Sequence, residues 1–336
     1  MKCLKTLAFA FTLSFAICIQ AFECELNLKD PYRVAFTIVV DQSGKGNFKT
    51  IQSAIDSIPS NSEKWIRIYI SAGKYLEQVT IPPNKPCIFL EGAGPLKTNV
   101  EWNAHANTDI SATFTSYPEN IVAKGITFKN TYNIPRGNTP IVPALAARIY
   151  GDKSAFYHCA FVGLQDTLWD TIGRHYYHDC YIEGAIDFIW GSAQSIYEGC
   201  VIGLNVGTYA KDRAFGVITA QGRNSPNDPG GFVFKNCIFE GVGKANLGRA
   251  YGLYSRVIIY KSNLTDFVLP AGWDAWRYAN NLGKLTYVEA DNVGPGANTG
   301  ARVKWIQKLS DRDLKPFVDN SYIDKEGWIA KLPKVF

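Results

Sequence analysis

Four segments of this chain repeat one shape, and that repeat restricts the available folds more than any other feature. Each passes through an aromatic residue, a cysteine and an apolar pair before a glycine: Tyr157–Gly163, Tyr177–Gly184, Tyr197–Gly203 and, after a longer insertion, Phe234–Gly241. The first three cysteines, Cys159, Cys180 and Cys200, fall 21 and then 20 residues apart. A period near 20 with short β-type runs ending in glycine marks a β-solenoid, each period being one coil. Stacked coils pair their strands in parallel, about 4.8 Å apart, so residues at equivalent points of successive coils become neighbours.

The phase that stacks the cysteines also stacks two aspartates. Asp166 lies seven residues after Cys159, and Asp187 seven after Cys180. Gln165 stands beside the first, and the second is flanked by Ile186 and Phe188. One aspartate on such a turn is usually solvated or satisfied by backbone amides. Two in register, one beside a glutamine and one inside an apolar run, point to chemistry.

Residues 1–21 have the form of a secretory signal: Lys2 and Lys5, then a thirteen-residue apolar run from Leu7 to Ile19, then Ala21. That run is short for a membrane span, so an exported chain without a membrane anchor is expected, with residues 22–336 as one domain. The formal charge of +5 falls to +3 without the two signal lysines, which suits an acidic polymer only weakly. There are no Lys/Arg runs to favour nucleic acid. Six cysteines remain after the signal. Coil phase places Cys180 beside Cys200 at a spacing compatible with a disulfide, worth about 3 kcal/mol on the chain-entropy model. Buried thiols stacked in the core are the other reading. Asn263-Leu264-Thr265 is an N-glycosylation signal.

Phe36–Val40 reads as a strand, and Phe48, Ile51, Ala54, Ile55 and Ile58 recur at helical spacing. A short helix there could cap the open end of a solenoid core. Strand-and-glycine units continue to about Trp305, enough for ten or so coils. Loops at 132–143, 204–213 and 223–231 interrupt them, and such loops are where a solenoid builds a site. Ser310 followed by Asp313 has capping chemistry, so residues 310–330 are expected as helix packed on the outside. The fold class is all-β.

Two carboxylates one strand spacing apart cannot both ionise freely, so one becomes an acid and the other a base or nucleophile. Arg249 is the candidate to hold one of them ionised. A retaining glycosidase, a carboxylate-nucleophile esterase and a calcium-dependent lyase could each use such a pair. Gln165 favours the esterase, because a glycosidase has no oxyanion for an amide to hold. No Gly-x-Ser-x-Gly elbow occurs, and the four histidines lack zinc-site spacing.

At these residues the chain resembles the plant pectin methylesterases (pectinesterases). Gly73-x-Tyr75-x-Glu77, Gly151-Asp152-Lys153-Ser154-Ala155-Phe156, Gln165-Asp166-Thr167, Asp187-Phe188-Ile189-x-Gly191, Ile218-Thr219-Ala220-Gln221-Gly222-Arg223 and Leu247-Gly248-Arg249 stand in family order. The resemblance implies a right-handed parallel β-helix that de-esterifies methylated homogalacturonan (pectin) in the plant cell wall. It implies no metal or cofactor, a monomer, and a proteinaceous pectinesterase inhibitor as a further partner. By the same resemblance Asp187 would be the nucleophile and Asp166 the acid and base. Gln165 would hold the oxyanion, and Arg249 would orient Asp187 and contact the sugar carboxylate. Thr113 matches a substrate-binding threonine, and the family's disulfide falls on Cys180 and Cys200.

The chain also departs from the pattern. Pro143 replaces the Gln of a Gln-Ala-Val-Ala-Leu-Arg segment, which removes one polar contact near the oxyanion. Tyr251 replaces a sugar-stacking Trp, and Trp190 replaces a Phe, where it is expected only to repack. The inhibitor-like pro-region of many plant members is not found ahead of the domain. Pro143 and Tyr251 sustain a second reading, a pectin-binding wall protein of this fold with weak or no turnover.

Overall fold

The computed structural model describes residues 23–134 and 140–335, so the expected signal segment lies outside the described residues. Within them three parallel sheets of ten, eight and eight strands run the length of the chain, and in each the strand order follows chain order. This is the expected right-handed parallel β-helix. The repeat sets its register. Tyr157 pairs with His178 and His178 with Glu198, while Tyr181 pairs with Val201 and Val201 with Ile238.

A left-handed residue makes the bend between the strands of each repeated unit: His158, Asp179, Gly199 and Asn236, with φ of 48°, 52°, 65° and 54°. Asn, Asp and Gly tolerate this conformation best. The next residue is the cysteine, turned into the core and buried. The aromatic column is also internal. Phe156, Tyr177, Tyr197 and Phe234 stack with ring centroids 5.0, 4.6 and 4.6 Å apart. Offset stacking adds to the stability that burying these rings supplies.

The open face at the first coil is covered by a helix. The helix Ile51–Ser57 buries Ile51, Ala54 and Ile55 against the first coil, and Thr50 caps it by accepting from Ser53 N. Glu77 accepts from the amides of Ile51 and Gln52, both at 3.0 Å, placing an anion at the helix N-terminus. At the other end the Lys85 ammonium donates to the carbonyls of Ile55, Asp56 and Ile58. The tail contains less helix than expected. Only Asp311–Val318 is α-helical, capped by Ser310, and 3-10 turns follow. Leu314, Tyr322, Ile323 and Trp328 lie on the outer face of the ten-stranded sheet, over Phe89, Tyr176, Ile196 and Val233.

One part of the interior is polar. Asp170, fully buried, accepts from Tyr177 Oη at 3.0 Å, Tyr197 Oη at 2.7 Å and Ser195 Oγ at 2.5 Å. His175 Nδ1 lies 2.5 Å from the same carboxylate, and His175 Nε2 lies 2.9 Å from the Gly151 carbonyl.

The expected Cys180–Cys200 disulfide is not formed. Cys159, Cys180, Cys200 and Cys237 are buried thiols, and the disulfide joins Cys24 to Cys87, with Cα atoms 5.8 Å apart. Equivalent positions of stacked coils carry parallel Cβ vectors about one strand spacing apart, whereas a disulfide needs Cβ atoms that converge to about 3.8 Å. The thiols donate instead to backbone carbonyls: Cys180 to Phe156 at 3.4 Å, Cys200 to Tyr177 at 3.5 Å and Cys237 to Tyr197 at 3.2 Å. Burial pushes the Cys159 and Cys200 thiols well above their ordinary range, so they are inert in the fold. Titration of unreduced residues 22–336 with a thiol reagent should find these four thiols only after denaturation. Finding two would restore the Cys180–Cys200 bond.

Candidate active site

The second sheet presents an outward row in which successive coils contribute Arg148, Trp169, Trp190, Ala220 and Arg249, each paired with the next. Beside this row lies a cleft of about 610 Å³ lined by Gln165, Asp166, Asp187, Arg249 and Tyr251 among others. The two aspartates reach it through unusual backbone. Asp166 has φ 59° and Asp187 φ 48°, both left-handed. The strand Ile186–Gly191 carries a bulge at Asp187: Ile186 pairs with Val217 but Ile189 with Thr219, one residue extra on the first strand. A bulge re-aims the side chain it carries. The core takes Ile186 and, past the bulge, the consecutive pair Phe188 and Ile189, while Asp187, only 6% exposed, lines the cleft.

Asp166 is tied to the same coil. Its amide donates to Ile186 O at 3.0 Å, and Gln165 bridges to Ile186. The Gln165 side-chain amide makes no hydrogen bond among the described residues and lines the cleft. Ala144 N donates to Gln165 O at 3.2 Å, which sets Pro143 in the neighbouring coil beside Gln165.

The two carboxyls sit in different electrostatic surroundings. Burial pushes Asp166 up to about 8, and the charge of Asp187 adds to the rise, while Arg249 only partly opposes it. Asp187 is also raised by burial, but Arg249 counters with both its charge and a direct hydrogen bond. Arg249 Nη2 donates to Asp187 Oδ2, while Asp187 Oδ1 is buried and unpartnered. The proton therefore rests on Asp166, with Asp187 held beside it by Arg249. The guanidinium is braced from behind, its Cζ 4.2 Å from the centre of the Trp276 ring.

Asp187, Asp166, Gln165, Arg249 and Tyr251 thus meet in one cleft, with Tyr251 46% exposed. Thr113 does not join them. It is fully buried, and its hydroxyl donates to Lys129 O at 3.0 Å, so the expected substrate contact is withdrawn. Thr108 lines the cleft instead. Trp190 does more than repack: it lines the cleft, stacks on Trp169 at 4.1 Å and donates to Asp166 O at 3.3 Å. Asn263 is exposed at the start of its strand, accessible to modification. Trp169 and Trp276 were not singled out from sequence. A signal for Trp169 existed, since Trp169 and Trp190 each follow their aspartate by three residues and share its phase.

Fold and site together define a carboxylic ester hydrolase built on a β-helix. The chain belongs to the pectinesterase family, whose model, described as Pectinesterase, matches residues 37–326. It is 52% identical over 304 residues to the putative pectinesterase 10 of Arabidopsis thaliana, covering 90% of each chain. Among solved structures it is similar to pectin methylesterase from carrot, with TM-score 0.80 and 30% identity over 87% of this chain and 94% of that one. The Aspergillus niger enzyme follows with TM-score 0.75 and 28% identity, over 89% of this chain and 97% of that one.

The Asp166 proton has a measurable effect on stability. The unfolded chain releases it near pH 4, whereas the fold retains it to about pH 8. Between these values the folded state binds more protons than the unfolded state, so this group's contribution falls as pH rises. Asp166→Asn, with no proton to lose, should raise Tm at alkaline pH and change it little near pH 4. Thermal unfolding at both values checks this, and an equal gain at both would contradict it.

Proposed function

We propose that the chain hydrolyses the C6 methyl esters of homogalacturonan, the polymer of pectin, and releases methanol, with Asp187 as nucleophile and Asp166 as acid and then base. The observation that carries this reading is the asymmetry of Asp187. Arg249 holds Oδ2, and Oδ1 is left without a partner beside a carboxyl that keeps its proton.

In this cycle Oδ1 attacks the ester carbonyl carbon, and the tetrahedral oxyanion takes a hydrogen bond from Gln165. As the intermediate collapses, the bond to methoxide breaks, Asp166 gives it a proton and methanol departs, leaving an acyl anhydride on Asp187. Asp166, now ionised, takes a proton from water, and the hydroxide attacks the same carbon. Asp187 returns as carboxylate, Asp166 keeps the proton taken from water, and the new carboxyl group leaves as galacturonate by giving its own proton to solvent. Arg249 orients Asp187 throughout and contacts the sugar carboxylate, while Tyr251 offers a face to the sugar ring. Each proton and bond is supplied by ester, water and the two aspartates, so no step calls for a cofactor.

The export expected from residues 1–21 would bring a mature single-domain monomer, glycosylated at Asn263, to the plant cell wall. There the open cleft is the surface a proteinaceous pectinesterase inhibitor would cover. Pro143, which puts no donor beside Gln165, and Tyr251, which stacks with less area than a Trp, favour the second reading, a pectin-binding protein with weak turnover. The unpartnered Asp187 Oδ1 favours catalysis over binding alone.

Asp187→Asn should lower methanol release from highly methylated pectin by at least about a thousandfold while pectin binding persists. A variant that kept most of its rate would remove Asp187 as nucleophile, and a folded wild type that bound pectin without releasing methanol would establish the second reading. The rate should also fall as pH rises through about 8, where Asp166 loses the proton it gives to methanol.

A further inference from the structure

Outside the row that carries Arg148, Trp169 and Trp190 lies a second outward row, two residues further along each strand. Extending the strand registers by one residue places Tyr117 beside Tyr150, Tyr150 beside Thr171, Ser192 beside Gly222 and Gly222 beside Tyr251. Its middle is low. Thr171, Ser192 and Gly222 line the cleft, and a Cβ added to Gly222 would stand 2.9 Å from Ser192 Oγ. The trough therefore runs along the axis of the solenoid. Tyr251 and Trp276, with ring centroids 5.7 Å apart, wall it at the C-terminal end.

At the N-terminal end the wall is Tyr150 and Tyr117, stacked at 5.2 Å and within 19° of parallel. Tyr150 is fixed from below: Arg148 Nη2 donates to its hydroxyl, and the guanidinium lies 4.7 Å from its ring centre and 4.3 Å from that of Trp169. Arg148 is itself buried, and its Nε has no partner. Tyr117 rests on this braced ring and is 38% exposed. Both tyrosines line a second cavity of about 410 Å³, separate from the first cleft and walled also by Pro118, Glu119 and Gly151.

We propose that Tyr117 and Tyr150 form a further sugar-binding subsite, a stacking shelf for a uronate ring of the same polymer chain whose ester is cleaved at the aspartates. The proposal rests on the reading of the substrate given above. Tyr117 stands three coils from Asp187, about 14 Å along the solenoid axis at the parallel-strand spacing and further along the strand direction as well, so the ring it meets is not the one being hydrolysed. With the Tyr150 hydroxyl committed to Arg148, the pair offers ring faces more than hydrogen bonds. That suits a pyranose, and it suits either an esterified or a free uronate.

Methanol release from methyl-esterified oligogalacturonides of increasing length, by the wild type, Tyr117→Ala and Tyr117→Phe, tests the shelf. For oligomers long enough to reach residue 117, Tyr117→Ala should lose about three- to tenfold in kcat/KM, carried by KM, and the loss should grow with chain length. Tyr117→Phe keeps the ring face and should follow the wild type. A loss independent of length, or none, would overturn the shelf. So would a Tyr117→Phe defect equal to that of alanine, because the hydroxyl would then be the working group. Calorimetric titration with the same oligomers reads the shelf separately from turnover. A wild type that binds longer oligomers more tightly, with the gain lost in Tyr117→Ala, supports the subsite even if no methanol appears, in which case only the catalytic reading fails.

Discussion

The in-register hydrogen bonding of one coil on the next is the constraint on which the rest of this molecule depends. A parallel ladder sets equivalent residues about 4.8 Å apart and leaves no freedom to slide, since a slip of one residue would exchange the inner and outer faces of a strand. The chain accommodates insertions without breaking that register. The interval from Tyr197 to Phe234 is much longer than a coil, yet the two residues pair and their rings stack at 4.6 Å. The surplus leaves as loops such as 204–213 and 223–231, whose hydrogen-bonding demands are met at the surface. The aromatic column, the thiol column, the two tryptophans of the cleft and the two aspartates all follow from this register.

Setting two carboxyls side by side in a partly desiccated cleft is unfavourable, and the surroundings show how it is tolerated. Burial raises both groups, but the single guanidinium of Arg249 is spent on Asp187. Arg249, shared unequally between the two acids and joined at Asp187 by the charge of Arg213, favours the proton on Asp166. Backbone strain belongs to the same arrangement. Left-handed φ at both aspartates is held by the ladder on either side and by the bulge at Asp187. The backbone thus adopts a conformation that Asp tolerates better than most residues, at the two points where a carboxylate has to leave the core.

Spacing made the solenoid, its end-capping helix and the adjacency of Asp166 and Asp187 legible, because each follows from counting residues along a coil. What counting cannot give is side-chain direction. Cys180 and Cys200 are neighbours as the count requires, but their thiols point alike and do not bond. The Cys24–Cys87 bond joins a segment outside the repeat to the solenoid, where no period applies. Thr113 failed for the same reason: its place in the chain suited a substrate contact, yet its hydroxyl turns inward to a carbonyl. The part Trp190 plays in the cleft follows from the phase it shares with Trp169, which sets the two rings 4.1 Å apart. The bulge at Asp187 has no sequence signal beyond a carboxylate between two apolar residues.

The buried Asp170 bears on the same question of direction. The strand Leu168–Asp170 turns Trp169 to the cleft and Asp170 to the interior. The partners of Asp170, namely His175, Tyr177, Ser195 and Tyr197, lie on Arg174–His178 and Gln194–Glu198 in the opposite sheet. Through His175 the network reaches Gly151 in the preceding coil. An apolar side chain at this point could stabilise the core as well or better, because a buried charge gives up much of its gain to desolvation. Apolar contacts, however, constrain orientation weakly, whereas a carboxylate with four contacts between 2.5 and 3.0 Å has little freedom to shift. The network lies directly behind Trp169, four residues from Asp166, and it crosses the interior to the sheet that the C-terminal tail covers. The polar interior therefore fixes where the cleft strand sits relative to the opposite wall, which the ladder within a single sheet leaves open.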